Sequence, residues 1–237
     1  MKYIIANFKQ NGDKQFITDY AKQINKLLKT PTNLYIALPS GYLYMSNLFS
    51  KNKINIGAQN ISNQPKGAFT GELGANMAGD LGANFTLIGH SERRNIYGET
   101  NSQIAQKIAL AQQYGLLVVL CVGETLQDKS KYKSVLSKQL KESLQNANLD
   151  NLIIAYEPVW AIGTGLTATT ADIVKVHKYI KEYMSKNYGK NVAVLYGGSV
   201  NASNSKDILA LELVDGVLVG GASLKPDQFA QIYNSAK

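Results

Sequence analysis

One cysteine, one tryptophan, two histidines and two arginines are all that this 237-residue chain holds of those types. The lone Cys121 cannot form an intrachain disulfide, and its place inside the apolar run 116–122 reads as a small core residue in a reducing cytoplasm. Histidine and cysteine are too sparse for a metal-ligand spacing, so neither a metal nor a redox cofactor is expected. No apolar run is long enough to cross a bilayer. Met1-Lys2-Tyr3-Ile4-Ile5 leads straight into a strand-like segment, so we expect no secretory leader and a cytoplasmic location.

Arginine is confined to Arg93 and Arg94, and no aromatic nucleic-acid motif accompanies them. The net charge of +8 is carried by lysines spread over 129–141 and 175–190, where Gln, Ser, Tyr and Glu alternate with them. That spacing describes solvated helix faces, and no nucleic-acid partner is expected. A mild positive field of this kind would still gather an anionic substrate. No phosphate-loop lysine pattern is present, which disfavours an NTPase.

What the chain does have is regular alternation. With 45% hydrophobic residues and no Pro/Ser/Gly tract to divide it, residues 1–237 read as one domain. Eight short apolar runs fall at 3–7, 33–38, 54–59, 85–89, 116–122, 152–157, 192–196 and 216–219. Most are nearly continuous in aliphatic residues, as strands covered on both faces require. Their starts lie about 20 to 40 residues apart, the room a crossover helix needs.

Helical periodicity fills several of the gaps. Asp13 is placed to cap a helix with a stripe of Phe16, Tyr20, Ile24, Leu27 and Leu28, ending near Lys29 before Pro31. Ile104, Ile108, Ala111 and Gln112 share a second face, and Ile173, Val176, Ile180 and Met184 a third. His177 reads as an ordinary residue of that last helix. The third connection differs, with a Gly- and Pro-containing excursion at 64–74 ahead of any helix. The pattern predicts an α/β fold, a closed (β/α)8 barrel of eight parallel strands with outer helices. An open doubly wound sheet would normally carry a glycine fingerprint after its first strand, and Asn7-Phe8-Lys9 is not one.

In such a barrel the chemistry gathers where strands end. Asn7 and Lys9 follow the first run, His90 and Glu92 the fourth, and Glu157 the sixth. Gly197-Gly198-Ser199 and Gly220-Gly221 follow the last two. Glycine pairs let backbone N–H groups approach phosphate oxygens, and the turns after strands seven and eight are a common phosphate site. The segment 155–168 joins a carboxylate at a strand's mouth to Pro158 and to a charge-free stretch containing Gly163 and Gly165, the layout of a general base beside a movable cover. His90 at a helix start would stay neutral and donate to a substrate oxygen, while Lys9 adds fixed positive charge for a developing oxyanion. Together these parts suit proton transfer next to a carbonyl on a small phosphorylated substrate.

Asn7-Phe8-Lys9, Gly67-Ala68-Phe69-Thr70-Gly71-Glu72, and the segments 89–94, 155–168, 196–200 and 216–222 closely resemble the triosephosphate isomerase family over essentially the whole chain. The resemblance implies the TIM-barrel fold and interconversion of D-glyceraldehyde 3-phosphate and dihydroxyacetone phosphate through an enediolate. Position by position it implies Glu157 as base, His90 and Lys9 as electrophiles, and Asn7 as a substrate-binding group. It further implies Gly163, Ser199, Gly220 and Gly221 as phosphate contacts, and a lid at 158–168 latched by Tyr196 and Ser199. The glutamate and neutral-histidine roles are a known pattern of that family, not an independent deduction. The resemblance also implies a homodimer in which loop 64–74, with Thr70, supports the neighbouring active site. For Glu92, tuning of Lys9, proton relay and a plain ion pair all stay open. Leu166 stands where many relatives have lysine, and the segment around 39–53 is trimmed. Two other readings of the residues are a phosphosugar aldolase using Lys9 as a Schiff base and a non-catalytic interaction barrel.

Overall fold

The computed structural model describes residues 2–162 and 167–236. Eight strands run β1 (Tyr3–Asn7), β2 (Leu34–Leu38), β3 (Asn55–Ala58), β4 (Phe85–Ile88), β5 (Leu117–Val122), β6 (Leu152–Tyr156), β7 (Ala193–Tyr196) and β8 (Gly216–Val219). Each pairs in parallel with the next, and β8 returns to β1 to close the barrel. The helices are α1 (Lys14–Leu27), α2 (Ala75–Asp80), α3 (Ser91–Asn95), α4 (Asn101–Gln113), α5 (Tyr132–Ser143), α6 (Thr170–Tyr188), α7 (Ser205–Leu209) and α8 (Pro226–Asn234). This is the expected (β/α)8 barrel, with strand ends within one residue of those read from the sequence. Gly163 and Leu166 lie outside the described residues.

The strands are apolar but for Asn7, Asn55 and Thr86, because alternate residues face two different cores. Ile5, Ala37, Phe85, Leu87, Val119, Cys121, Ile153, Ala155, Leu195 and Leu218 form one buried cluster. Their strand neighbours, such as Ile4, Ile36, Val118, Ile154 and Val217, belong to a second cluster shared with the helices. The first cluster is therefore the barrel interior and the second the layer between barrel and helices. Cys121 sits fully buried in the interior, where burial pushes its thiol pKa well up. Enclosing side chains such as Ile5 or Leu87 stabilises the fold by roughly 1.5–3 kcal/mol each.

The helices follow their amphipathic stripes. Asp13 caps α1 by accepting from the Phe16 N–H at 2.8 Å, and Ile17, Tyr20, Ala21 and Ile24 are buried. Leu27, counted in the stripe, is instead 42% exposed, because the helix ends there and Leu28 turns in to take its place. Thr100 with Gln103, and Thr169 with Asp172, form capping boxes that start α4 and α6. The trimmed segment forms a 3-10 helix, Ser40–Asn52, packed against α1. In the third connection only the short α2 follows the excursion.

Lys107 and His177 are buried, which the helix periodicity did not reveal. Lys107 on α4 is enclosed, paired with Glu99 and donating to Asn60 Oδ1 at 2.7 Å. His177 on α6 is fully buried, with Nδ1 3.1 Å from the Leu213 carbonyl and its ring edge-on to Tyr156. Burial lowers the His177 pKa from 6.5 to about 4. A depressed histidine pKa leaves stability intact above pH 6.5 and erodes it as pH falls towards 4, by about 3 kcal/mol at most. We expect the unfolding free energy of His177→Gln to fall less between pH 6.5 and 4 than that of the wild type, measured by urea titration. Parallel losses in the two proteins would contradict this.

Candidate active site at the barrel mouth

Strand parity delivers the first two groups. Asn7 continues the inward series of β1 beyond Ile5, and Glu157 continues that of β6 beyond Ile153 and Ala155. Backbone geometry alone therefore turns both to the mouth. Asn7 is buried, and its Oδ1 accepts from the Lys9 N–H at 2.9 Å. That tight turn holds Lys9 at φ 51°, in the left-handed region that costs a side-chain-bearing residue energy.

Glu157 is only 2% exposed. Its N–H donates to the Val122 carbonyl at 2.8 Å, so the β5–β6 pairing runs one residue past the strand. A β-carbon on Gly123 would lie 1.8 Å from the Glu157 carbonyl oxygen, and glycine alone lets the chain leave β5 here. The carboxylate is held at both oxygens. Oε2 accepts from the Ser91 N–H at 2.7 Å, and Oε1 lies 3.0 Å from His90 Nε2.

His90 does not follow the inward parity of β4, which ends on Leu87; Gly89, at φ +72°, redirects the chain. His90 caps α3, and its Nδ1 accepts from the Glu92 N–H at 3.2 Å. That contact requires Nδ1 without a proton and leaves Nε2–H to donate to Glu157. Burial works to lower the His90 pKa. The charge and hydrogen bond of Glu157, with Glu92, outweigh burial and Lys9 and raise it above 6.5. The Nδ1 contact fits the expected neutral imidazole with its proton on Nε2, while the raised pKa runs against the expected influence of the helix start. Glu92 also holds the Lys9 ammonium at 2.5 Å in a partly exposed pair, which fixes position more than it adds stability.

Asn7, Lys9, His90 and Glu157 line one cavity of about 350 Å³ together with Ser199, Gly220 and Gly221. The last two turns thus share a single space with these four side chains. A β-carbon on Gly198 would meet the Tyr196 hydroxyl at 2.2 Å. Tyr196 itself is buried and its pKa is pushed up to about 12 by that burial. Thr70 lies on an exposed loop and does not line the cavity of its own chain. Glu157 also lines a second, larger cavity of about 470 Å³. There Arg94 bonds to Gly89, Asn101 and Cys121, and Gln139 bonds twice to Gly123.

Three contributors were not singled out from the sequence. The Ser91 N–H and the Gly123 backbone act without side-chain chemistry, which leaves no residue-type signal. Glu124 did carry one, since it directly follows a strand at the same rim. It is 2% exposed and accepts from both the Tyr156 hydroxyl (2.9 Å) and the Trp160 indole (2.8 Å).

The two histidines can be titrated separately by imidazole nitrogen NMR, one near 4 and the other above 6.5. A raised pKa means that the His90–Glu157 pair adds stability below pH 6.5 and loses it as pH rises through the folded value. Replacing Glu157 by Gln removes the main raising charge while burial remains. The His90 pKa should then drop below its wild-type value, and an unchanged midpoint would contradict the coupling.

The family model described as triosephosphate isomerase matches residues 2–236. A triosephosphate isomerase of Francisella philomiragia subsp. philomiragia is 40% identical over 245 residues, covering 99% of this chain and 97% of that protein. One from Nitrosococcus oceani is 38% identical over 244 residues, covering 98% of each. The crystal structure of triosephosphate isomerase from Bartonella henselae superposes with a TM-score of 0.91 at 35% identity, covering 99% of this chain and 98% of that one.

Proposed function

The chain belongs to the triosephosphate isomerase family, and from that premise we propose that Glu157 is the base, with His90 and Lys9 as electrophiles and Asn7 as a binding group, in one catalytic domain. The reaction is the interconversion of D-glyceraldehyde 3-phosphate and dihydroxyacetone phosphate, a step of glycolysis and gluconeogenesis. The observation that carries the assignment is the buried Glu157 carboxylate within 3.0 Å of His90 Nε2, on the wall of the cavity that the glycine turns also line.

Glu157 removes a proton from the carbon beside the carbonyl and returns it to the neighbouring carbon. His90, with Nδ1 tied to the Glu92 N–H, offers its Nε2 proton to the substrate oxygens. Lys9 supplies positive charge where the enediolate oxygen becomes negative. The Ser199 segment and Gly220-Gly221 bind the phosphate through backbone donors, and Gly163 adds a contact from the lid at 158–168. Phosphate binding then holds a three-carbon unit against the base, and a closed lid keeps water from the enediolate. Both Glu157 oxygens are engaged by Ser91 and His90 without substrate, so substrate must compete for the carboxylate. A cytoplasmic location fits this role.

We also read the molecule as a homodimer through loop 64–74. Phe69 is 44% exposed and Tyr97 67%, and both line a cavity with Arg93, whose Nε has no partner among the described residues. Exposed aromatics around an unanswered buried donor call for a covering surface. A second copy bringing Thr70 to the site answers that need.

In a coupled assay with dihydroxyacetone phosphate, Glu157→Gln should lower kcat by about 10²–10⁴-fold, the usual contribution of a positioned base. Turnover equal to wild type would remove the mechanism. Sedimentation analysis should give a species of twice 25.9 kDa, and a lone 25.9 kDa species would refute the dimer.

A further inference from the structure

The residue before Glu157 and the residue three after it are tied to the same oxygen. The Tyr156 hydroxyl and the Trp160 indole N–H both donate to Glu124 Oε1, and the Val159 N–H donates to the Glu124 carbonyl at 3.1 Å. The base therefore sits inside a bracket closed by one buried carboxylate from the β5–α5 loop. From the same loop the exposed Lys129 extends over the Trp160 ring, with Nζ 3.5 Å from its centre. At that range the indole face and the ammonium attract each other, and the indole cannot rotate away from Glu124 without losing the contact.

We propose that Lys129 is a positioning residue for the base: its ammonium fixes the Trp160 indole on Glu124, and through that bracket sets the pitch of Glu157. This rests on Glu157 being the base, and it deepens that reading. Lys129 touches neither the substrate cavity nor Glu157, and it acts only through Trp160 and Glu124.

Glu124 is also the titrating centre of the bracket. Burial raises its pKa, while the Trp160 and Tyr156 hydrogen bonds and the charge of Lys129 lower it. The other charged or titratable groups around it are Tyr132 on α5 and Asp172 and Lys175 on α6. Its Oε2 has no partner among the described residues and is the oxygen free to take the proton.

Trp160 is the single tryptophan, so selective indole fluorescence reads this bracket alone. The test compares wild type, Lys129→Met, which keeps the stem and removes the charge, and Lys129→Arg, which restores a cation. Lys129→Met should move the midpoint of the Trp160 fluorescence–pH titration upward. It should also lower kcat about three- to tenfold, with KM for dihydroxyacetone phosphate changed less than about twofold. Lys129→Arg should return both values towards wild type. An unmoved midpoint, a midpoint that moves without any loss of kcat, or no recovery in the Arg variant would each overturn the proposal. Failure of the base assignment itself would show separately, as Glu157→Gln turning over normally while the fluorescence shift persists.

Discussion

A carboxylate cannot be enclosed in protein without partners, and the way Glu157 meets that constraint organises the mouth of this barrel. Removing one partner from a buried ion leaves an uncompensated group, typically at a cost of about 3–5 kcal/mol. Here the partners come from another βα turn, the Ser91 N–H and His90 Nε2. For them to arrive, Gly89 must break the parity of β4, and Gly123 must let β5 end within touching distance of the Glu157 backbone. Glu157, His90 and the bare backbone around them thus form one geometric unit.

Closure of the sheet makes that unit possible. A sheet of this strand order left open would have β1 and β8 at opposite edges, whereas here they pair, and Lys9 lies against Gly220. A β-carbon on Gly220 would be 3.4 Å from Lys9 Cε, so the turn after β8 and the Lys9 cation are adjacent. The polar groups are costly individually: a left-handed Lys9, a buried histidine and a buried glutamate. Each is supported by a contact from a different strand's loop, and the apolar interior beneath supplies the rigidity that holds them.

Much of this was legible in advance. The eight apolar runs predicted the strands almost to the residue, because strands covered on both faces leave few polar interruptions, Thr86 of β4 being one, except at their ends. The same rule found Asn7, Lys9, His90, Glu157 and the two glycine turns. It overlooked Glu124, which obeys it equally well, because nothing in Gly123-Glu124 reveals that Tyr156 and Trp160 converge on that carboxylate. The burial of Lys107 was not legible either, because a helix face at 3.6-residue spacing does not tell what packs on it; Glu99 and Asn60 do. His177 was read as ordinary for the same reason, yet it is fully buried.

Periodicity along the chain determined the class of fold, the order of elements and the list of rim residues, because hydrophobic alternation and helix caps are local properties. The distances among those residues, the tautomer imposed on His90, the pairing of Lys9 with Glu92 and the bracket around Glu157 were decided only by the tertiary structure. Each depends on groups more than thirty residues apart in sequence meeting once the barrel closes, or on backbone atoms that every residue type shares.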